Sequence, residues 1–310
     1  MGITSATIIG AGAMGSIFGA RLATAGIETT FFDVSEPLIA RLREEGLTLV
    51  SDGAEDSVPV RGTTDPAELS ESDLVAIFVK CFHTEEAVRR AAPAIGSRTT
   101  VLSLQNGWGN GDTIARLVDP GQLAIGVTYV SGTLLEPGRI GWKGSGPTYV
   151  GAWDPRSAGL AEPVVTSLGA AGFNVEASAD VRTEIWRKLA LNAATLPTAA
   201  LTGLSAGSLA AVDSMSGLVD EAAREAVAVA NAAGHALDAE ATVARIHEVL
   251  DAAGPGKASM LQDFEAGRRS EIDVITGAVL RIGGELGVPT PVNQALYALV
   301  QGHEFARDQA

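Results

Sequence analysis

A single cysteine, Cys81, in a chain of 310 residues leaves no intramolecular disulfide framework, so burial and hydrogen bonding must hold the fold. That scarcity fits a reducing cytoplasm. Histidine is almost as rare: His83, His235, His247 and His303 are scattered without zinc-ligand spacing, and no metal is expected. Basic residues are outnumbered, 22 Lys and Arg against 37 Asp and Glu, and the net charge of −15 excludes nucleic acid or an anionic membrane surface as the main partner. No apolar run reaches the length of a membrane span, and the N-terminus has no cationic segment ahead of a long apolar one. With 46% hydrophobic and 19% charged residues, the composition suits a soluble cytoplasmic protein of two domains better than one.

What is present begins with a strand, a turn and a helix. Ile3 to Ile9 is β-prone and runs into Gly10-Ala11-Gly12-Ala13-Met14-Gly15, after which Phe18, Leu22 and Ala25 recur at helical spacing until Gly26. In a G-x-G-x-x-G turn the first glycine makes the bend, the second lets the backbone approach a pyrophosphate and the third lets helix pack on strand. The helix start offers unpaired N–H groups to phosphates, so Gly10, Gly12, Ala13, Met14 and Gly15 are the expected dinucleotide contacts. A second strand, Thr29 to Phe32, ends at Asp33, eighteen residues after Gly15, where such folds place the carboxylate that takes the adenosine ribose hydroxyls. Asp33 favours NAD(H), because it repels a 2′-phosphate, and Arg41 and Arg43 fall inside the next helical pattern. Capping of the helix that begins near Glu36 is the competing use of Asp33.

Leu47 to Thr63 reads as short strands around a Ser51-Asp52-Gly53 turn, and Leu74 to Val79 as a buried parallel strand ending at Lys80. Functional groups of open α/β sheets collect at such carboxyl ends, so Lys80 is a candidate for cofactor or substrate contact, with a solvated strand end as the alternative. Thr100 to Leu104 is the next strand, closed by Gln105-Asn106-Gly107; Asn106 is either a turn residue or an amide aimed at the nicotinamide ribose or the substrate. Leu123 to Thr133, Arg139 to Lys143 and Thr148 to Val150 suggest an antiparallel addition to the sheet, before a helix from Ala158 to Ala171 and a last strand at Phe173 to Val175. The dinucleotide-binding domain is expected to span residues 1–178.

From Asp180 the strand signals vanish, and residues 179–310 read as an all-α domain, with helices at Asp180 to Leu196, Ser214 to Ala233, Ala239 to Leu250, Lys257 to Ala266, Glu271 to Leu286 and Val292 to Phe305. A substrate cleft between the two domains is the expectation for such a pairing. On the first of these helices Lys188 and Asn192 are four residues apart and share a face, with Pro197 as the expected stop. Ser259 and Glu271 are polar where packing alone does not ask for it; helix capping and first-turn charge are their ordinary uses. Alanine-rich faces in this half offer surfaces for a homodimer, which periodicity does not separate from intradomain core.

Taken together, the glycine loop at Gly10, Lys80, Leu104-Gln105-Asn106-Gly107, Ile185-Trp186-Arg187-Lys188-Leu189 with Asn192, and Ser259-Met260-Leu261-Gln262-Asp263 with Gly267-Arg268 and Glu271-Ile272-Asp273 resemble the ketopantoate reductase (2-dehydropantoate 2-reductase) family over nearly the whole chain. The resemblance implies a Rossmann-type α/β domain followed by a helical domain, and reduction of ketopantoate to pantoate, a step toward pantothenate, with NADP(H). It also implies that Lys188 is the general acid, Glu271 a carboxylate that helps bind substrate, Asn106, Asn192 and Ser259 substrate ligands, and Lys80 a lysine near cofactor and substrate. Two departures matter. Leu196 stands one turn beyond Asn192 where the family usually has a second asparagine, and Asp33 follows the second strand where members that use NADPH usually carry a basic residue. Both fit a relative that uses NAD and handles a different 2-oxo or 2-hydroxy acid, for example a bulky or aromatic 2-hydroxy acid in the oxidative direction. A non-catalytic dinucleotide sensor is the reading from another class, and it leaves the joint retention of Lys188, Asn192, Ser259 and Glu271 without a purpose.

Overall fold

Alternating β-branched runs and amphipathic segments in the first half, and unbroken helical periodicity in the second, produce two different architectures. The computed structural model describes residues 2–51, 53–143 and 146–309, with the backbone alone for Lys143. The elements of the first half run β1 (Ser5–Ile9), α1 (Ala13–Thr24), β2 (Glu28–Phe32), α2 (Glu36–Glu45), β3 (Leu47–Ser51), β4 (Ala54–Val58), β5 (Arg61–Thr63), β6 (Leu74–Ile77), α3 (Thr84–Arg90), β7 (Thr100–Ser103), α4 (Asn110–Ala115), β8 (Leu123–Thr128), β9 (Ser131–Glu136), β10 (Arg139–Lys143), β11 (Thr148–Ala152), α5 (Ala161–Ala170) and β12 (Val175–Ala177). The second half is helical: α6 (Val181–Thr202), α7 (Ala206–Ala211), α8 (Asp213–Ala232), α9 (Ala239–Ala253), α10 (Ser259–Glu265), α11 (Thr276–Leu286) and α12 (Pro291–Asp308).

The main sheet has eight strands in the order β12-β11-β8-β7-β6-β1-β2-β5. Its neighbours pair in parallel except β8 with β11. Strand order reverses beside β1, because β2 lies on one side of it and β6 on the other, and such a switch point opens a crevice at the carboxyl ends. The run predicted from Leu123 to Thr133 is in fact two strands: β8 joins the main sheet, whereas β9 and β10 join β3 and β4 in a separate four-stranded sheet. Continuous β propensity does not reveal where a chain changes sheets. The predicted turn at Ser51-Asp52-Gly53 includes Asp52, which lies outside the described residues; the flanking strands pair with Ser51 opposite Ala54. The core is sealed by α1, whose Phe18 stacks on Phe173 at 4.2 Å and tilts against Phe78 at 5.0 Å.

The chain divides into two units, residues 1–105 with 110–181, and residues 106–109 with 182–310. In the second, α6 is the central helix: Trp186, Leu189, Ala190, Ala193 and Ala194 are each no more than 1% exposed. One face packs with α8, α11 and α12, the other with α8 and α9. The alanines Ala222, Ala223, Ala226 and Ala230 of α8 are fully buried here, so the small residues serve close packing within the unit.

Pro197 does not stop α6, which continues to Thr202. Proline removes the helical N–H that would reach the Ala193 carbonyl, but the helix is packed on both sides, with Ala193, Ala194 and Ala199 fully buried, and that packing outweighs one lost bond. The helix predicted from Glu271 is also shorter, with a 3-10 turn at Ile272–Val274 before α11.

The start of α12 is fixed from another helix. Glu225 of α8 accepts the N–H groups of Val292 at 2.8 Å and Asn293 at 2.9 Å, and the Asn293 amide at 2.8 Å. Asn293 is fully buried, so removing the carboxylate strands donors away from water. Glu225→Ala is expected to cost about 2 to 3 kcal/mol in urea unfolding, with Glu225→Gln recovering part of it. An unchanged midpoint in Glu225→Ala removes this account of how α12 is placed.

Candidate active site

In the first unit the glycine loop is shaped by close approach. Gly10 has φ +95°, and a Cβ there would lie 2.9 Å from the Val79 nitrogen, while a Cβ at Gly15 would overlap the Gly10 carbonyl oxygen at 1.9 Å. Gly12 differs: nothing lies within 4 Å of where its Cβ would point. Tight first and third positions with open space over the second are what a pyrophosphate cradle needs. Gly12 is the N-cap of α1 without a side-chain cap, so Ala13, Met14 and Gly15 present first-turn N–H groups with no acidic residue beside them.

Asp33 does not cap α2. That task falls to Ser35, whose Oγ accepts the Leu38 N–H at 3.4 Å. The Asp33 carboxylate instead accepts the Ala11 N–H at 2.7 Å and the Ser35 N–H at 3.0 Å, which ties the glycine loop to the end of β2. Each carboxylate oxygen retains acceptor capacity for a ribose hydroxyl. The loop and Asp33 together fit a dinucleotide. Lys80 sits half-buried at the carboxyl end of β6, directly after Val79, whose backbone borders Gly10.

Residues 106–109 leave the sheet after Gln105 and belong to the helical unit. Gln105 marks the departure: its amide donates to the Val79 carbonyl at 2.7 Å and to Thr84 Oγ1 at 2.8 Å within the first unit. In the second unit Gly107 has φ +88°, and a Cβ there would sit 2.5 Å from the Val274 carbonyl oxygen. Only glycine fits that contact. The Trp108 N–H donates to the same carbonyl at 2.8 Å, and its ring packs on Trp186 at 5.1 Å and against His235 at 5.6 Å. The Asn-Gly step is thus more than a turn, since it docks the segment beside the 3-10 turn that follows Glu271.

This docking brings Asn106, Lys188 and Glu271 together. Lys188 Nζ donates to Asn106 Oδ1 at 2.8 Å. The lysine keeps some surface, yet its ammonium is deep enough that desolvation lowers its pKa to about 8, with the Glu271 carboxylate acting in the opposite sense. Glu271 precedes the 3-10 turn but makes no side-chain capping bond there, so its carboxylate is not spent on the helix end. Asn192, one turn beyond Lys188, is 6% exposed and carries no side-chain hydrogen bond among the described residues. A nearly buried amide without a protein partner is suited to a ligand. Leu196 is 8% exposed within the apolar cluster of α6. Ser259 is the first residue of α10, exposed, with Ala258 as the cap. Sequence reasoning missed Trp108 and Val274; the signal available was a large aromatic directly after the Asn106-Gly107 step, which a turn alone does not require.

The family model described as ketopantoate reductase PanE/ApbA matches residues 6–155, and that of the same family's C-terminal part matches residues 180–304. The chain is 33% identical over 304 residues to the 2-dehydropantoate 2-reductase of Archaeoglobus fulgidus, covering 98% of this chain and 99% of that one. It is 30% identical over 299 residues to the enzyme of the same name from Pyrococcus abyssi, covering 96% and 97%. Among solved structures, D-mandelate dehydrogenase in a ternary structure with NADH and anilino(oxo)acetate superposes with a TM-score of 0.94 at 27% identity, covering 98% and 99% of the two chains. The 2-dehydropantoate 2-reductase of Geobacter metallireducens GS-15 does so with a TM-score of 0.91 at 30% identity, covering 96% and 99%.

The Lys188 ammonium can be titrated directly. A pH series of acylation followed by peptide mass spectrometry is expected to give a midpoint near 8, and Glu271→Gln should move it lower, since the carboxylate holds the proton on. A midpoint that stays or rises in Glu271→Gln contradicts this arrangement.

Proposed function

Because the chain belongs to the ketopantoate reductase family, we propose that it interconverts a small 2-oxo acid and the corresponding 2-hydroxy acid with a nicotinamide cofactor, and that ketopantoate is the leading substrate. The observation that carries this reading is the Lys188 ammonium, bonded to Asn106 and balanced between desolvation and the Glu271 carboxylate. The glycine loop and Asp33 would hold a nicotinamide cofactor, which would supply or accept the hydride at C2. Negative charge then builds on the C2 oxygen during reduction, and Lys188 stabilises and protonates it. Asn106 fixes the direction of the ammonium, and Asn192 has an amide to spend on the substrate's hydroxyl or carboxylate. Glu271 helps bind substrate and keeps Lys188 charged, and Ser259, carried over from the resemblance, is a further substrate ligand. Lys80 contributes positive charge at the carboxyl end of β6.

The sign of the pH dependence follows. Reduction needs Lys188 with its proton, so turnover is level below about 8 and falls above it; oxidation needs the neutral amine and rises through the same value. Lys188→Ala should lower turnover by about 10² to 10⁴, with NADH affinity retained. Full turnover in a folded Lys188→Ala protein overturns the assignment.

A second reading keeps the chemistry and changes the substrate: an NAD-dependent dehydrogenase of another 2-hydroxy acid. It is favoured by Asp33, which accepts from the glycine loop where a 2′-phosphate would have to sit, and by Leu196, an apolar side chain in place of a second amide. The similar D-mandelate dehydrogenase was solved with NADH. Assays of ketopantoate against a panel of branched and aromatic 2-oxo acids, with NADH and NADPH separately, decide between the readings. NADH is expected to be preferred, and Leu196→Asn to raise the preference for ketopantoate over apolar 2-oxo acids by about tenfold, one hydrogen bond's worth. An unmoved preference removes Leu196 from the specificity account.

A further inference from the structure

The segment that carries Glu271 is gripped from two sides, and the grip uses one face of the last helix. Tyr297, Gln301, Glu304 and Arg307 follow one another at spacings of four and three along α12. The Tyr297 hydroxyl donates to Asp273 Oδ1 at 2.8 Å and accepts from Gln301 Nε2 at 2.7 Å. Burial, and then the bond to Asp273, push the Tyr297 phenol up to about 12, so it remains a donor across the working pH range. Glu304 Oε1 accepts the Ser270 N–H at 2.6 Å, and an Arg307 guanidinium nitrogen donates to the Arg268 carbonyl at 2.8 Å. From α10, the Asp263 side chain, 6% exposed, accepts Arg268 Nε at 3.0 Å, and its carbonyl accepts the Arg268 N–H at 2.8 Å. Ser270 is 1% exposed, and its hydroxyl oxygen accepts the Ile272 N–H at 3.4 Å.

Bonds on both sides of Glu271 tie this connection to α10 and α12, and at buried Ser270 the Glu304 carboxylate satisfies an N–H that water does not reach. They fall where a small displacement matters. Glu271 acts on Lys188 through its field, and a Coulomb interaction weakens as the carboxylate drifts or as water enters beside it. Among the groups that face Lys188 are the Glu271 carboxylate and, from residues 106–109, the Asn106 amide; on its own helix Glu184 and Arg187 pair with each other at 3.3 Å.

We propose that Glu304, supported by Tyr297 and Arg307, is a positioning residue of the reaction: it holds residues 268–273 so that Glu271 keeps its carboxylate directed at Lys188. The proposal rests on the reading of Lys188 as the proton donor. Its test in the full-length enzyme is the pH profile of 2-oxo acid reduction at saturating NADH for Glu304→Ala and Glu304→Gln, with NADH affinity and the circular dichroism spectrum as controls. Glu304→Ala should move the high-pH limb down by about half a unit or more, with NADH affinity unchanged. Glu304→Gln still accepts the Ser270 N–H and should keep the limb near its original place. If Glu304→Ala does not fold, Tyr297→Phe, which deletes one hydroxyl, carries the same test and should move the limb in the same direction. A folded Glu304→Ala or Tyr297→Phe protein with an unmoved limb overturns the proposal, even if turnover falls. The underlying reading fails separately, by undiminished turnover in Lys188→Ala.

Discussion

The partial desolvation of one ammonium is the constraint on which the helical unit turns. Lowering Lys188 from 10.5 to about 8 corresponds to a penalty on the order of 3 kcal/mol against its charged form, on a helix whose buried face is Trp186, Leu189, Ala190 and Ala193. The neighbourhood limits that penalty in two ways. Asn106 supplies an oriented carbonyl oxygen, and Glu271 supplies opposing charge. Complete burial without these partners would discharge the lysine, and full solvation would leave its proton too tightly held to be exchanged near neutral pH.

Much of the architecture exists to deliver the partners. Asn106 arrives because Gly107 has no side chain and can lie against the Val274 carbonyl, with Trp108 seated on Trp186 beyond it. Glu271 arrives on a short connection bonded from α10 and α12, and α12 in turn begins where Glu225 of α8 takes its first N–H groups. The two segments meet at Val274, so the amide and the carboxylate are not placed independently. In the first unit Asp33 has the parallel role: by accepting the Ala11 N–H it ties the glycine loop to the end of β2, and the space over Gly12 is open.

The features legible in the sequence are those written locally. The glycine loop, the strand ending at Asp33 and the change from strand to helix near residue 180 follow from periodicity and turn chemistry, and Lys188 and Asn192 share a face because they are four residues apart. The features that were not legible depend on tertiary context. Pro197 reads as a stop, yet a buried setting carries α6 past it. Asp33 and Glu271 both look like capping residues until Ser35 is seen to cap α2 and Glu271 to make no capping bond. Alanine is neutral in a hydrophobicity pattern, so the faces of α8 that touch α6 carried no signal.

The central claim is that Lys188 faces the oxygen whose charge changes in the reaction. A crystal structure with NADH and a non-reducible 2-oxo acid analogue tests it most directly. The account predicts Lys188 Nζ within about 3 Å of the C2 oxygen, with the Asn192 amide bonded to another polar group of the same ligand. A C2 oxygen held by other donors, with Lys188 still bonded only within the protein, would contradict it.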